Sequence, residues 1–235
     1  IISVITQDEI RKSGARDLVD IMNLVPGFGF SGDVAEVVGI ATRGLYANEG
    51  KVLILIDGIE LNETNYGTLQ FGNHISADHI KQVEIIRGPG SSMYGGSAEL
   101  AVIKITTLSP DEDRAYAQVT PSFNKGEVNS GLNSKIDAGF SKKMGDLGVA
   151  VTGSFKNGPR SNELIWNKGL SYDMSENSQL SGLPIYVNAA ATFKGLEARF
   201  IQDNYSYKLQ DYYQITTEDR EEIFNSTMAL LKYKW

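Results

Sequence analysis

Cysteine is absent from the 235 residues, which excludes a disulfide framework, a thiolate metal site and a cysteine nucleophile. Histidine is scarce: His74 and His79 are the only two, and their five-residue spacing suits neither one helix face nor one strand face of a metal site. Positive charge is in deficit, with 22 Lys+Arg against 29 Asp+Glu and a formal charge of −7. That argues against a nucleic-acid binder, which needs a basic face to displace counterions. Long apolar runs are missing as well. The strongest, VLILI at 52–56, falls far short of the roughly 20 residues that a membrane-crossing helix requires. The opening IISVIT has neither the basic start nor the apolar core of a signal peptide, so Ile1 is not expected to be the biological start. None of these absences excludes a membrane β-barrel, whose strands are about 10 residues of weak alternation. The 24 glycines and 11 tyrosines lean toward one.

The first part of the chain reads as a small α+β unit. ISVIT (2–6) is β-branched and predicts a strand. Thr6 followed by Glu9 forms a capping box that opens a short helix ending at Gly14. In ARDLVDIMNLVPG (15–27), Leu18, Ile21, Met22 and Val25 share a helical stripe that Pro26-Gly27 ends. GIATRGL (39–45), KVLILIDG (51–58, with Asp57-Gly58 as a tight turn), HIKQVEIIRG (79–88) and LAVIKITTL (100–108) predict further strands. SPDEDR then reads as a polar hinge. We place the first domain at 1–110 and the second at 111–235.

Beyond residue 113 helical periodicity gives way to alternation. About six strands are expected, at 115–123, 133–143, 148–157, 184–193, 196–207 and 224–235. In the second, Ile136, Ala138 and Phe140 lie on one face with Asp137, Gly139 and Ser141 on the other. The connections alternate between tight turns (144–148 and Lys194-Gly195) and longer loops (124–130, 158–183 and 208–223). Short turns at one end and long loops at the other fit an up-and-down outer-membrane barrel better than a soluble sheet. Six strands do not close such a barrel, for which about eight is the minimum. Either the chain continues past Trp235 or a partner chain supplies the rest; LLKYKW stops in mid-pattern and favours continuation.

No stretch carries enzyme chemistry. Gly27-Phe28-Gly29-Phe30-Ser31-Gly32 matches G-x-G-x-x-G, but a helix precedes it where a strand is required. A helix stop and flexible turn is the plainer reading. In EIIRGPGSSMYGGSAELAVIKI (84–105) there is neither a P-loop lysine nor a G-x-S-x-G elbow, so Ser91, Ser92 and Ser97 are poor nucleophiles. Asp57, Glu60 and Glu63 read as a solvated turn rather than a glycosidase pair. DMSENSQ (173–179) lacks the glycine and the closing glutamate of a calcium loop. No cofactor or metal is expected, and no enzyme.

Four segments together resemble the TonB-dependent outer-membrane receptors. VITQDEIRKSGARDLVDIMNLVPGF (4–28) looks like the opening of their N-terminal plug domain, GIATRGL like its "I-R-G" strand and VLILIDGIELNE (52–63) like its "V-L-I-D-G" segment. HIKQVEIIRGPGSSMYGGSAELAVIKITT (79–107) looks like the "I-E-V-I-R-G-P-G-S-x-x-Y-G" signature that closes the plug. The resemblance implies an α+β plug followed by antiparallel transmembrane β-barrel strands in the bacterial outer membrane. It also implies active uptake of a small-molecule or metal-chelate ligand, such as a siderophore, haem or cobalamin. Energy would come from TonB with ExbB–ExbD, and the barrel would sit among outer-membrane lipid and lipopolysaccharide. By the same resemblance Arg43 and Arg87 would latch the plug to carboxylates of the barrel wall, with Glu84 in the network. Gly88, Gly90, Gly95 and Gly96 would be plug hinges. Two residues depart from the family pattern: Lys104 stands at the usual asparagine of "G-G-V-I-N-I", and Glu99 brings charge to a place of small residues. The alternative function is a non-transporting plug–barrel subunit that docks other outer-membrane subunits.

Overall fold

The computed structural model describes residues 2–32, 38–47, 50–64, 67, 75–125, 130–157, 164–167, 170–173, 185–209 and 220–234. They form two units that part between Leu108 and Ser109.

The first unit begins with β1 (Ile2–Thr6) and α1 (Gln7–Ser13). The capping box is present: Thr6 N donates to Glu9 Oε2 at 2.8 Å and Glu9 N to Thr6 Oγ1 at 3.4 Å. The Thr6 amide, and after it the Thr6 hydroxyl, holds the Glu9 carboxyl below the usual carboxylate range. Gly14, at φ +71, closes the helix. α2 covers only Leu18–Met22, shorter than the stripe 15–27 predicts. Asp17 is the reason: its side chain accepts the Asp20 amide at 3.1 Å and starts the helix late. Leu24 and Val25 then bond back three residues, to Ile21 and Met22, which tightens and ends it.

The glycine-rich 27–32 is not the flexible turn its composition suggests. Phe28–Gly32 is strand β2, paired antiparallel with β3 (Val38–Thr42). A partner strand distant in sequence supplies hydrogen bonds that local propensity does not register. Nor is GIATRGL one strand. Arg43 (φ +52) and Gly44 (φ +79) are both left-handed, as in a type I′ turn, and send the chain back into β4 (Leu45–Tyr46).

The main sheet of this unit has the order β1–β7–β8–β5–β6, with β5 (Val52–Ile56), β6 (Ile59–Glu60), β7 (Gln82–Arg87) and β8 (Ala101–Thr106). The β5–β8 pair is parallel and the others are antiparallel. Val83, Ile85, Ile103, Ile105, Ile54 and Ile56 are buried, as are Ile10, Leu18, Ile21 and Met22 of the helices. Asp57, in the turn after β5, accepts the Thr107 amide at 2.9 Å and its hydroxyl, tying the turn to the end of β8.

The second unit is a six-stranded antiparallel sheet in which successive strands are neighbours. It comprises β9 (Arg114–Lys125), β10 (Ser130–Met144), β11 (Leu147–Asn157), β14 (Ile185–Phe193), β15 (Leu196–Leu209) and β16 (Arg220–Tyr233). A hairpin, β12 (Leu164–Asn167) with β13 (Leu170–Asp173), stands where a plain loop is expected. The loop expected at 208–223 is shorter, because Lys208 and Leu209 pair with Glu221 and Arg220 as strand. The segment SPDEDR is tied down. Asp113 accepts from Lys142 Nζ at 2.7 Å and from the Lys143 amide at 2.9 Å, and Asp111 pairs with Lys143. The Lys142 ammonium, then the Lys143 amide, holds the Asp113 carboxyl low.

This sheet is inverted relative to a soluble one. On β10, Lys135, Asp137, Gly139 and Ser141 are buried while Ile136, Ala138 and Phe140 are exposed. Asp137 is 0% exposed and Phe140 49%. Thr152, Asn188, Arg199 and Asp203 continue the buried polar face, and Val151, Phe193, Phe200 and Leu231 the exposed apolar one. Apolar-out and polar-in is the arrangement lipid demands of a barrel wall.

The apolar band crosses the hydrogen-bond rows obliquely. On β9 it reaches Phe123, opposite Leu132 of β10. On β15 it stops at Phe200, whose row runs through Ala189 and Val151 to Phe140. Leu132 and Phe140 are eight residues apart on β10, and β9 to β15 is four strand steps, so the band shifts two residues per strand. Two residues are about 6.6 Å along a strand and neighbouring strands lie about 4.8 Å apart, which gives a tilt of about 54°. Transmembrane strands tilt by about 45°.

Candidate functional site

The glycine-rich stretch between β7 and β8 is a closed turn folded back on its own sheet. Gly88 N donates to Leu100 O at 2.9 Å and Gly90 N to Ala98 O at 2.8 Å, so the two arms stay zipped beyond the strands. A one-turn helix, α3 (Ser91–Tyr94), forms at the tip, with the amides of Met93 and Tyr94 bonded to Gly90 O. Ala98 then packs with Leu53 and Val102, and Leu55, Ile86 and Tyr94 surround that cluster. The turn therefore covers the face of the sheet opposite Ile85 and Ile103. That explains why β8 is buried at three consecutive residues, Ala101, Val102 and Ile103.

The four glycines differ in what they do. Gly88 (φ +117) and Gly95 (φ +89) hold conformations that L side chains rarely adopt. Gly90 is there for space: a Cβ would stand 2.8 Å from Val102 Cγ2. Gly96 has open space and no positive φ. Alanine at Gly88 or Gly95 is expected to cost about 1–2 kcal/mol through backbone strain. At Gly90 it should cost about 1–3 kcal/mol through overpacking, and at Gly96 less than about 0.5 kcal/mol. Denaturant unfolding of the four variants, followed by hydrogen exchange in β7 and β8, checks this order.

Arg43 and Arg87 both meet the Pro26-Gly27 turn, while Glu84 stands apart from them. Arg43 is exposed at the left-handed corner between β3 and β4, its amide bonded to Gly27 O at 2.7 Å. Its guanidinium makes no ion pair among the described residues. A non-glycine residue held at positive φ carries a strain cost that points to a role for the side chain displayed there. Glu84 and Arg87, three apart on β7, project from opposite faces. Glu84 pairs with Lys104 Nζ across the β7–β8 ladder at 3.1 Å and accepts from Gln82 at 2.8 Å. Arg87 instead donates Nη2 to Ser3 Oγ on β1 and Nη1 to Pro26 O at 3.2 Å.

Lys104 thus stands opposite Glu84 as a cross-strand pair, which accounts physically for a lysine at the position where the resemblance leads one to expect asparagine. Sequence reasoning missed this pair, because the β7–β8 register that makes the two residues opposite is not written in either strand. Glu99 is exposed, and nothing in the structure explains its charge. His79 is buried in a one-turn 3₁₀ segment, Ala77–His79. His74 and residues 174–179 of DMSENSQ lie outside the described residues. Among the described residues no group of three or more His, Cys, Asp or Glu could hold a metal, and no helix is long and apolar enough to cross a membrane.

A family model described as TonB-dependent Receptor Plug Domain matches residues 1–102. The Vitamin B12 transporter BtuB of Vibrio vulnificus strain CMCP6 is 30% identical over 194 residues, covering 77% of this chain and 30% of the transporter. The Vitamin B12 transporter BtuB of Vibrio cholerae El Tor Inaba N16961 is 23% identical over 236 aligned residues, covering 93% and 36%. In fold, the chain is similar to a mutant ferric enterobactin receptor, PfeA, of Pseudomonas aeruginosa (TM-score 0.66, 17% identity, 100% of this chain and 38% of that one). It is also similar to the ferric yersiniabactin uptake receptor FyuA of Yersinia pestis (TM-score 0.57, 19% identity, 89% and 32%). The chain spans about a third of the length of these relatives.

Proposed function

Because this chain belongs to the TonB-dependent outer-membrane receptors, carrying their plug domain ahead of antiparallel barrel strands, its place is the bacterial outer membrane, and we propose that it serves active uptake of a scarce nutrient energised through TonB. The observation that carries this reading is the join of the two units. A plug built on its own buried core runs, through residues 109–113, straight into a sheet with its polar face buried and its apolar face exposed. A pore-sized barrel lumen needs an obstruction that can shift, and a small separately folded unit supplies one.

Cobalamin is the first ligand to test, because the curated relatives at 23–30% identity are named as vitamin B12 transporters. Ferric chelates of the siderophore kind come next, since the structures similar in fold at 17–19% identity are named as ferric enterobactin and ferric yersiniabactin receptors. On this reading TonB, with ExbB–ExbD, is the periplasmic partner. The exposed Arg43, whose guanidinium has no ion pair among the described residues, is the plug cation we propose for a wall carboxylate, a guanidinium in a partly dry lumen requiring such a partner. The full-length receptor, expressed in cells lacking their own B12 receptor, is expected to accumulate labelled cyanocobalamin or a ferric siderophore. Deleting TonB should reduce that uptake to background. Uptake unchanged without TonB would overturn the importer reading.

A further inference from the structure

The plug's first strand is weakly seated. β1 lies at the edge of the main sheet and pairs only with β7. Of its apolar residues only Ile5 is buried; Ile2 is 65% exposed and Val4 48%. The inner strands are different, with Val83, Ile85, Ile103 and Ile105 at 1% exposure or less. Local opening starts where buried apolar contacts are fewest, and among the four strands of five or more residues in this sheet that is β1.

One side chain compensates. Ser3 is the register partner of Ile85, so Arg87 is its diagonal neighbour two residues along β7 and within reach of a long side chain. The Arg87 fork holds Ser3 Oγ with one nitrogen and, with the other, the carbonyl of Pro26 in the turn after α2. Between β1 and Leu24–Pro26 the surface opens into a cleft of about 500 Å³. Ser3 and Pro26, the two partners of the guanidinium, both line that cleft. Arg87 Nε is buried without a hydrogen-bond partner, so the two bonds to Ser3 and Pro26 are what the described structure gives this cation. Bonds of this charge-assisted kind are stronger than neutral ones.

We propose that Arg87 is a positioning residue, a clasp that keeps β1 on the plug sheet, so that breaking its contacts frees β1 while β7, β8 and β5 stay paired. The proposal deepens the reading of residues 1–108 as a plug that must shift. It gives Arg87 a partner inside the plug, Ser3, and leaves open a wall carboxylate as a further one.

Hydrogen exchange on the full-length receptor in detergent tests it. Arg87→Gln is expected to speed exchange of the β1 amides about tenfold or more, as loss of hydrogen bonds to a charged group implies, with β8 amides unchanged. Ser3→Ala, which removes only a hydroxyl, should produce a smaller rise in the same segment and serves if Arg87→Gln does not fold. Arg87→Lys, lacking the fork, should fall between Arg87→Gln and the unaltered receptor. Unchanged β1 exchange in both Arg87→Gln and Ser3→Ala would overturn the proposal. So would an equal rise in β1, β7 and β8, which would mean that Arg87 holds the whole plug. TonB-dependent uptake by the unaltered receptor is measured separately, so its absence would count against the importer reading while leaving the exchange result to decide the clasp.

Discussion

Arginine at Val151 is expected to cost the folded protein about 2–4 kcal/mol, the penalty of a cation on the lipid face near the bilayer midplane. Val151 is 47% exposed on β11, in the same row as Phe140, Ala189 and Phe200, in the middle of the exposed apolar band. Arginine at Ser154, three residues along and on the opposite face, should cost less than about 1 kcal/mol. Ser154 is only half-buried, and its register partner is Asp137, a carboxylate that an arginine there could meet. Denaturant unfolding of the full-length receptor in phospholipid vesicles measures both. Equal costs at the two positions would sink the assignment of this face to lipid, because a soluble sheet would tolerate arginine at exposed Val151 at least as well as at Ser154.

Truncating Ile103 to alanine is expected to destabilise the plug by about 2–5 kcal/mol, the transfer term plus the cavity left in a close-packed core. Ile103 is fully buried at the centre of β8, with Ile85 of β7 on one side and Ile54 of β5 on the other. No side chain flanking it lies at an edge, so the site has little freedom to collapse. Ile2→Ala on the edge strand, where the side chain is 65% exposed, should stay within about 0.5 kcal/mol. Hydrogen exchange of the β7 and β8 amides compares the two. An Ile103→Ala effect no larger than that of Ile2→Ala would mean that this sheet is not the core of the plug.

Much of this protein was legible without coordinates wherever the signal is periodic or local. Thr6 and Glu9 announce the first helix because both capping partners lie within one turn. The alternation of Ile136, Ala138 and Phe140 against Asp137, Gly139 and Ser141 announces a two-faced strand because side chains alternate along any strand. Failures occurred where distant segments decide. Phe28–Gly32 is a strand because Val38–Thr42 lies beside it, and no window around 27–32 contains that fact. One further miss was local: Asp17 shortened the second helix through a side-chain cap that competes with the apolar stripe.

The candidate site divides along the same line. Glycine in 88–96 signalled sharp turning, and Gly88 and Gly95 do turn through positive φ. That Gly90 is needed for the methyl of Val102, and that the whole turn roofs Leu53, Ala98 and Val102, depends on what folds over what. Arg87 carried a signal of importance but not of partner: Ser3 lies 84 residues away in the chain.

By itself, then, the sequence determined the kind of wall this protein builds and the order of its parts, since polar–apolar period and turn chemistry are set by nearest neighbours. It settled that a plug-like α+β unit precedes membrane strands, and that no cysteine is present. Only the tertiary structure decided which face of that wall is buried, that Lys104 answers Glu84, and that Arg87 reaches Ser3 of β1. Those outcomes rest on register between strands far apart in the chain, and a shift of one residue would have reversed each of them.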